Sequence, residues 1–356
     1  MKNDKTPVRM GIIGYGGMAR YHADRWRKTG LLQTVGVYDT DPLQQKAAQE
    51  EGYIAYASAE ELLADKTIEG VLIATPNDFH RPYAIQAANA GKHILCEKPV
   101  ALSCAELDEM ESAAKRNGVV LTVHQNRRWD DDYVAARQIA DSGVLGKIYR
   151  IDSFVCGANG IPGGWRKIKA QGGGMMLDWG VHLLDQIFHW LPSSPSSLYC
   201  RYSHALGFDV DDGFDAQLGY ADGLTVNVRV DTNTYSRMPR WTLYGRDGTA
   251  QIADWDLRGH ITLPVYGKEA EIAGIEAGNG FTKTMAYRPH DSVEQKPIPR
   301  PAVDHDAFFA NFASACRGEQ PPAVDLIGVR KVMRCMELCA LSHETNTVLK
   351  NELQTL

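Results

Sequence analysis

An apolar strand, Val8 to Ile13, runs straight into Gly14-Tyr15-Gly16-Gly17-Met18-Ala19 and then into a helix that the pattern carries through Trp26. This G-x-G-x-x-A placement, between strand and helix, constrains the chain more than any other feature. Gly14 permits the tight turn, Gly16 lets the backbone approach a pyrophosphate, and Ala19 allows close helix-sheet packing. The helix N-terminus, opened by Gly17 and Met18, offers free N–H groups to the anion. A second strand, Thr34 to Tyr38, ends at Asp39, which stands 25 residues after Gly14. That is close to the ~20-residue spacing of the acidic residue that accepts from the adenosine ribose hydroxyls. The turn Thr40-Asp41-Pro42 has no Arg or Lys to take a 2′-phosphate, so the residues predict NAD rather than NADP.

Helices and strands keep alternating. A helix is expected around Pro42 to Glu51, a short strand near Ile54 to Tyr56, a helix from Ala59 to Ala64 and a strand from Gly70 to Ala74. A helix to about Ala90, the strand His93 to Cys96, the helix Ser103 to Asn117 and the strand Val119 to His124 complete a doubly wound α/β domain over residues 1–123. Two of its strands end in polar loops, Thr75-Pro76-Asn77-Asp78-Phe79-His80 and Glu97-Lys98-Pro99, at the carboxyl edge where such sheets bind cofactors. The proline holds Lys98 extended, which suits a donor to cofactor or substrate. Gln125 to Trp129 then begin a connection over the cofactor, placing Asn126 and Arg127 among its candidate contacts.

Beyond residue 124 the strand candidates change character. Ile148 to Phe154, Ser197 to His204, Asp215 to Tyr220, Leu224 to Val230, Arg240 to Tyr244 and Thr249 to Ala253 are joined by short turns such as Ala221-Asp222-Gly223 and predict antiparallel meanders. Residues Gly267 to Pro301 lack periodicity and read as irregular loop, and helices are expected over Val303 to Arg317 and Leu326 to Glu344. Between the first two of these strands lies Gly172 to Trp190, three glycines followed by a buried helix that is apolar almost all round. Asp178, His182, Asp185 and His189 fall at i, i+4, i+7 and i+11 and make one polar stripe on it. A stripe of this kind admits an oriented proton acceptor, a metal site or a satisfied core network. No known ligand signature accompanies it, so no metal is expected.

Composition narrows the classes. With 44% hydrophobic and 23% charged residues the chain is ordinary for a soluble globular protein. Its net charge of −6 and lack of a basic cluster argue against nucleic acid. No signal peptide is evident and no apolar run reaches the ~18 residues of a membrane span, which predicts a cytoplasmic protein without a membrane partner. Seven scattered cysteines without a C-x-x-C pair give neither a disulfide framework nor a zinc site.

Taken together, Gly14-Tyr15-Gly16-Gly17-Met18-Ala19, Thr75-Pro76-Asn77 with His80, Glu97-Lys98-Pro99, and Gly172-Gly173-Gly174 followed by Asp178 and His182 resemble the glucose-fructose oxidoreductase and inositol dehydrogenase family (Gfo/Idh/MocA). The resemblance spans nearly the whole chain. It implies a Rossmann domain followed by an α+β domain, residues 124–356, with a mostly antiparallel open sheet used in homo-oligomer contacts. It implies that Lys98, Asp178 and His182 form the catalytic group, that Glu97 and Lys98 sit near the nicotinamide, and that Thr75, Asn77 and His80 line the cofactor cleft. It further implies a cis Lys98-Pro99 bond and a substrate-side wall at Trp165 and Arg166. In the chemistry expected, His182 takes the hydroxyl proton, Lys98 hydrogen-bonds the reacting oxygen, and Asp178 either orients His182 or binds a neighbouring sugar hydroxyl. The expected function is NAD-dependent oxidation of a ring secondary hydroxyl in a cyclitol, sugar or glycoside, as in inositol dehydrogenase. The alternatives are an NAD-recycling glycoside-cleaving enzyme and a sugar or NAD sensor without turnover.

Overall fold

The computed structural model describes residues 6–267, 274–284, 287–350 and 352–353. Six short strands, β1 (Val8–Ile13), β2 (Leu32–Tyr38), β3 (Ile54–Ala55), β4 (Gly70–Ile73), β5 (His93–Cys96) and β6 (Leu121–Val123), pair in parallel in the order β3-β2-β1-β4-β5-β6. The central ones are apolar on both faces because helices cover both, and all four residues of β4 are buried. Those helices are α1 (Gly17–Thr29), α2 (Pro42–Glu50), α3 (Ala59–Ala64), α4 (His80–Asn89) and α5 (Cys104–Asn117). The strand order reverses between β1 and β4, which opens a crevice at the carboxyl ends of the strands.

After α6 (Asp131–Asp141) comes the second sheet. Its strands are β7 (Ile148–Cys156), β8 (Ser197–Ser203), β9 (Gly213–Gly219), β10 (Thr225–Asp231), β11 (Trp241–Gly245), β12 (Gly248–Ile252) and β13 (Gly259–Pro264), with α7 (Val181–Trp190) inserted before β8. β7 and β10 pair in parallel and the other pairs are antiparallel. In β10 the buried side chains Val226, Val228 and Val230 alternate with half-buried Thr225, Asn227, Arg229 and Asp231, so one face carries the core. Two helices close the chain, α8 (Ala307–Cys316) and α9 (Leu326–Thr345). α8 returns to the first sheet, where Phe309 meets His22 and Trp26 of α1 and Phe308 meets His124.

The irregular loop expected over Gly267 to Pro301 needs correction. It contains the hairpin β14 (Ile275–Ala277) and β15 (Gly280–Thr282), and then β16 (Val293–Pro297), which pairs with β13 at the sheet edge. Residues 268–273 and 285–286 of that stretch lie outside the described residues. β16 was invisible to periodicity because four of its five side chains are exposed and none alternates into a core.

The stripe-bearing helix also differs. It begins as a π turn, Met176–Gly180, and becomes α-helical only from Val181. π turns are rare and recur at functional sites. Gly180 answers to packing, since a Cβ there would stand 3.0 Å from the Phe214 ring of β9. Lower on the stripe, Asp185 accepts two hydrogen bonds from the Arg128 guanidinium at 2.8 and 2.7 Å, and His189 Nδ1 lies 2.8 Å from the Tyr133 hydroxyl. The Asp185 and Arg128 pair is buried and ties α7 to the turn that follows β6. Replacing Asp185 with Ala leaves a buried guanidinium unpaired and is expected to cost about 3 kcal/mol in denaturant unfolding. A loss below about 1 kcal/mol contradicts that reading.

Candidate active site

The crevice at the switch point is lined by the loops that follow β1, β2, β4 and β5, together with three residues of the second unit. Gly14, Gly16, Gly17, Met18, Asp39, Thr75, Pro76, Asn77, Glu97, Lys98, Trp165, Arg166 and Asp178 all face it. Sequence reasoning missed Tyr38, Thr40 and Tyr83 in the same wall, where a tyrosine carries no signal distinct from core. Whether the crevice suits a dinucleotide is tested by its glycines. A Cβ on Gly14 would stand 2.8 Å from the Ala74 carbonyl, and φ is +88°, so the turn itself demands glycine. At Gly16 and Gly17 nothing lies within 4 Å of where a Cβ would be. No protein contact requires glycine there, whereas a pyrophosphate resting on the first turn of α1 does. The residues therefore fit the cofactor.

Asp39 stands across the switch point from Lys98. Its carboxylate accepts from the backbone N–H of Tyr15 at 2.6 Å and of Asp41 at 2.8 Å, which fixes both oxygens at the end of β2. A carboxylate held this way keeps lone pairs for ribose hydroxyls and repels a phosphate.

Lys98 leaves β5 through a cis bond to Pro99. Its ammonium donates to the Asp178 backbone carbonyl at 2.8 Å and to Asp178 Oδ1 at 3.0 Å, and Arg166 Nε donates to Oδ2 at 3.1 Å. Burial works to raise the Asp178 carboxyl, but Lys98 and Arg166 outweigh it and leave it below the ordinary carboxylate value. Asp178 is therefore an anion with both oxygens engaged. It does not bond His182, so the orienting role considered for it is absent in this arrangement.

His182 lies buried beside this pair, and its side chain makes no hydrogen bond to any described residue; its Nδ1 is sealed from solvent without a partner. Burial, then the charges of Lys98 and Arg127, push its pKa well below the usual histidine range, so the imidazole is neutral. A neutral imidazole near an ammonium has the chemistry of a proton acceptor, but His182 itself is not among the residues that line the crevice.

Glu97 is held from below. His22 Nε2 lies 2.6 Å and His124 Nδ1 2.9 Å from Glu97 Oε1. Burial opposes its charge, yet the two histidines hold its pKa well below normal, while burial takes His22 down to about 4. The three groups have metal-ligand chemistry, but these separations are those of hydrogen bonds bridged by protons. Nothing in the spacing of a helix histidine and a strand-end glutamate announced this cluster.

Three expected cofactor contacts, His80, Asn126 and Arg127, sit elsewhere. His80 is fully buried, its ring nitrogens at 2.8 Å from the Pro99 carbonyl and 3.0 Å from that of Thr75, so it staples the two loops together beneath the crevice instead of lining it. Arg127 and its neighbour Asn126 do not line the crevice either. The Arg127 guanidinium lies 4.4 Å over the Trp179 ring and within 5.9 Å of Trp255, and it bonds Asp130 at 2.8 Å.

Comparison with known proteins agrees with this geometry. Residues 8–125 match the oxidoreductase family with an NAD-binding Rossmann fold (GFO_IDH_MocA), and residues 133–251 match the GFO/IDH/MocA C-terminal domain. The chain is 39% identical to an NAD-binding protein from Listeria innocua whose crystal structure it matches with a TM-score of 0.93, over 98% of this chain and 100% of that one. It is 30% identical to the 1,5-anhydro-D-fructose reductase of Ensifer adhaerens over 90% of this chain and 92% of that protein. It is 28% identical to scyllo-inositol 2-dehydrogenase (NADP(+)) IolW of Bacillus subtilis over 96% of each. Against two uncharacterized oxidoreductases of Schizosaccharomyces pombe, the match spans only 36% and 37% of their length. With both domains matched in order, and a relative at 30% identity aligned nearly end to end, the chain belongs to the Gfo/Idh/MocA family of oxidoreductases.

Proposed function

We propose that this protein oxidises a ring secondary hydroxyl of a cyclitol, sugar or glycoside, with NAD as acceptor and without a metal ion. The observation that carries the reading is the Lys98 ammonium, fixed by Asp178 at the wall of the nucleotide crevice beside the unpartnered His182. The relatives named for scyllo-inositol and 1,5-anhydro-D-fructose support this choice of substrate class.

When bound, the nicotinamide supplies the hydride acceptor. Gly14, Gly16, Gly17 and Met18 would hold the pyrophosphate, Asp39 the adenosine ribose, and Thr75, Pro76, Asn77 and Glu97 the nicotinamide half. A hydroxyl between Lys98 and His182 donates its proton to the imidazole, a transfer worth roughly 10²- to 10⁴-fold in rate. Lys98 stabilises the charge growing on the oxygen, and Asp178 keeps the ammonium aimed there. Each Asp178 oxygen keeps a further lone pair beside its bond to Lys98 or Arg166, which leaves it able to accept from a second substrate hydroxyl. Trp165 and Arg166 wall the substrate side. In the reverse direction the imidazolium of His182 returns the proton.

A panel of cyclitols, sugars and glycosides assayed with NAD tests the reading. Lys98→Ala and His182→Ala are each expected to lose at least about 100-fold in kcat while binding NADH within a few-fold of the parent. Activity within tenfold of the parent in either variant removes that residue from the chemistry. Asp39 generates a second expectation, that NADP binds at least about tenfold more weakly than NAD by titration, because a 2′-phosphate meets a fixed carboxylate. Equal or tighter NADP binding overturns the cofactor preference.

A further inference from the structure

Trp179 takes no part in the chemistry above, yet it adjoins it. Its ring lies 5.9 Å from that of His182, and 6.1 Å from the ring of Trp255, while Arg127 packs against both indoles. The three side chains come from separate elements: the turn after β6, the π turn before α7, and the loop joining β12 to β13. Trp255 remains 44% exposed, so one part of its ring is free while Trp179 and Arg127 brace another.

The loop that carries it is built to hold it there. Ala253 N–H donates to the Arg258 carbonyl at 2.6 Å, Leu257 N–H to the Asp254 carbonyl at 3.2 Å, and Trp255 N–H to Asp254 Oδ1 at 2.9 Å. Leu257 anchors the loop with its side chain buried and adopts φ +62°. Among the described residues, the other non-glycine with positive φ is Asn346, an amide at the end of α9 where that conformation is routine. A leucine held in the left-handed region is strain retained at one loop, and such strain collects where a ligand is clamped.

Aromatic rings in contact sit about 4.5–7 Å apart. Counting outward from His182, the first contact reaches Trp179 and the second reaches Trp255. On this spacing a ring held at His182 would adjoin Trp179, and a second ring attached to it would adjoin Trp255. We propose that Trp255, with Trp179 and Arg127 behind it, is a subsite for the second ring of a glycoside, stacking the apolar face of a sugar or aryl ring. This rests on the dehydrogenase reading and narrows its substrates to glycosides carrying a further ring.

The experiment compares kcat/KM with NAD for one-ring probes (glucose, myo-inositol) and two-ring probes (cellobiose, phenyl β-glucoside). The parent favours the two-ring class. Trp255→Ala is expected to cut that preference about tenfold, mainly through KM, and Trp255→Phe to retain it within about threefold. Equal losses on both classes, or an unaltered preference, overturn the subsite; a loss confined to phenyl β-glucoside restricts it to aryl rings. Calorimetric titration of the two-ring probes into NADH-loaded parent and Trp255→Ala gives a readout independent of turnover. If no probe is oxidised, the dehydrogenase reading fails by itself and the calorimetry decides the subsite: binding weakened about tenfold in the variant supports it, while equal binding or none overturns it.

Discussion

The contact on which the arrangement depends is the one from Lys98 Nζ to Asp178. It joins a loop at the carboxyl edge of the parallel sheet to a π turn in the second unit, and it uses both the carboxylate and the carbonyl of the same residue. A partly buried ion pair contributes little net stability once desolvation is counted. Its consequence is geometric. Whatever fixes Asp178 also fixes the ammonium relative to the nucleotide crevice. Several groups do this: Asp211 accepts from Met176 N–H through its carboxylate and from Met175 N–H through its carbonyl, and the Asn77 side chain donates to the Gly172 carbonyl. Gly174 completes the support, since a Cβ there would fall 2.2 Å from Asp211 Oδ1.

From this contact the polar residues of the π turn and α7 sort themselves by partner. Asp178 belongs to Lys98 and Arg166, Asp185 to Arg128, and His189 to Tyr133, which leaves His182 as the stripe residue without a hydrogen bond. The lower half is a satisfied network that locks α7 in place, and it continues through Gln186, which accepts from the buried Arg240 at 2.7 Å. In the upper half Asp178 is paired as well, and the His182 ring alone lacks a hydrogen bond among the described residues of the stripe. Beneath it, His22 and His124 hold Glu97 as an anion, a fixed negative charge among Lys98 and Arg127 that His182 also senses.

Much of this was legible in the order of residues. The parallel sheet followed from alternation, and the nucleotide crevice from glycines placed between β1 and α1. Local chemistry marked Lys98 only as a donor, extended before its proline, and the family resemblance implied its catalytic role. What stayed hidden depends on distance through space. Helical spacing alone could not name Arg128 and Tyr133 as the partners of the stripe's lower half. His80 looked like a cleft residue because its loop is one, yet its ring turns inward to two carbonyls. Arg127 was placed on the cofactor because it follows β6, but the two indoles that hold it come from distant parts of the chain. The edge strand Val293–Pro297 had no core to imprint a pattern on it.

The central claim is that the crevice brings a ring C–H to the nicotinamide while His182 and Lys98 handle the hydroxyl. Isotope transfer tests it most directly. A ring polyol or glycoside deuterated at its carbinol carbons is incubated with NAD and the enzyme, and the reduced cofactor is analysed by mass spectrometry and proton NMR. The account predicts one deuterium at nicotinamide C4, on a single face, in parent protein and its near absence in His182→Ala. Reduced cofactor without label, or label incorporated equally well in the variant, would contradict it.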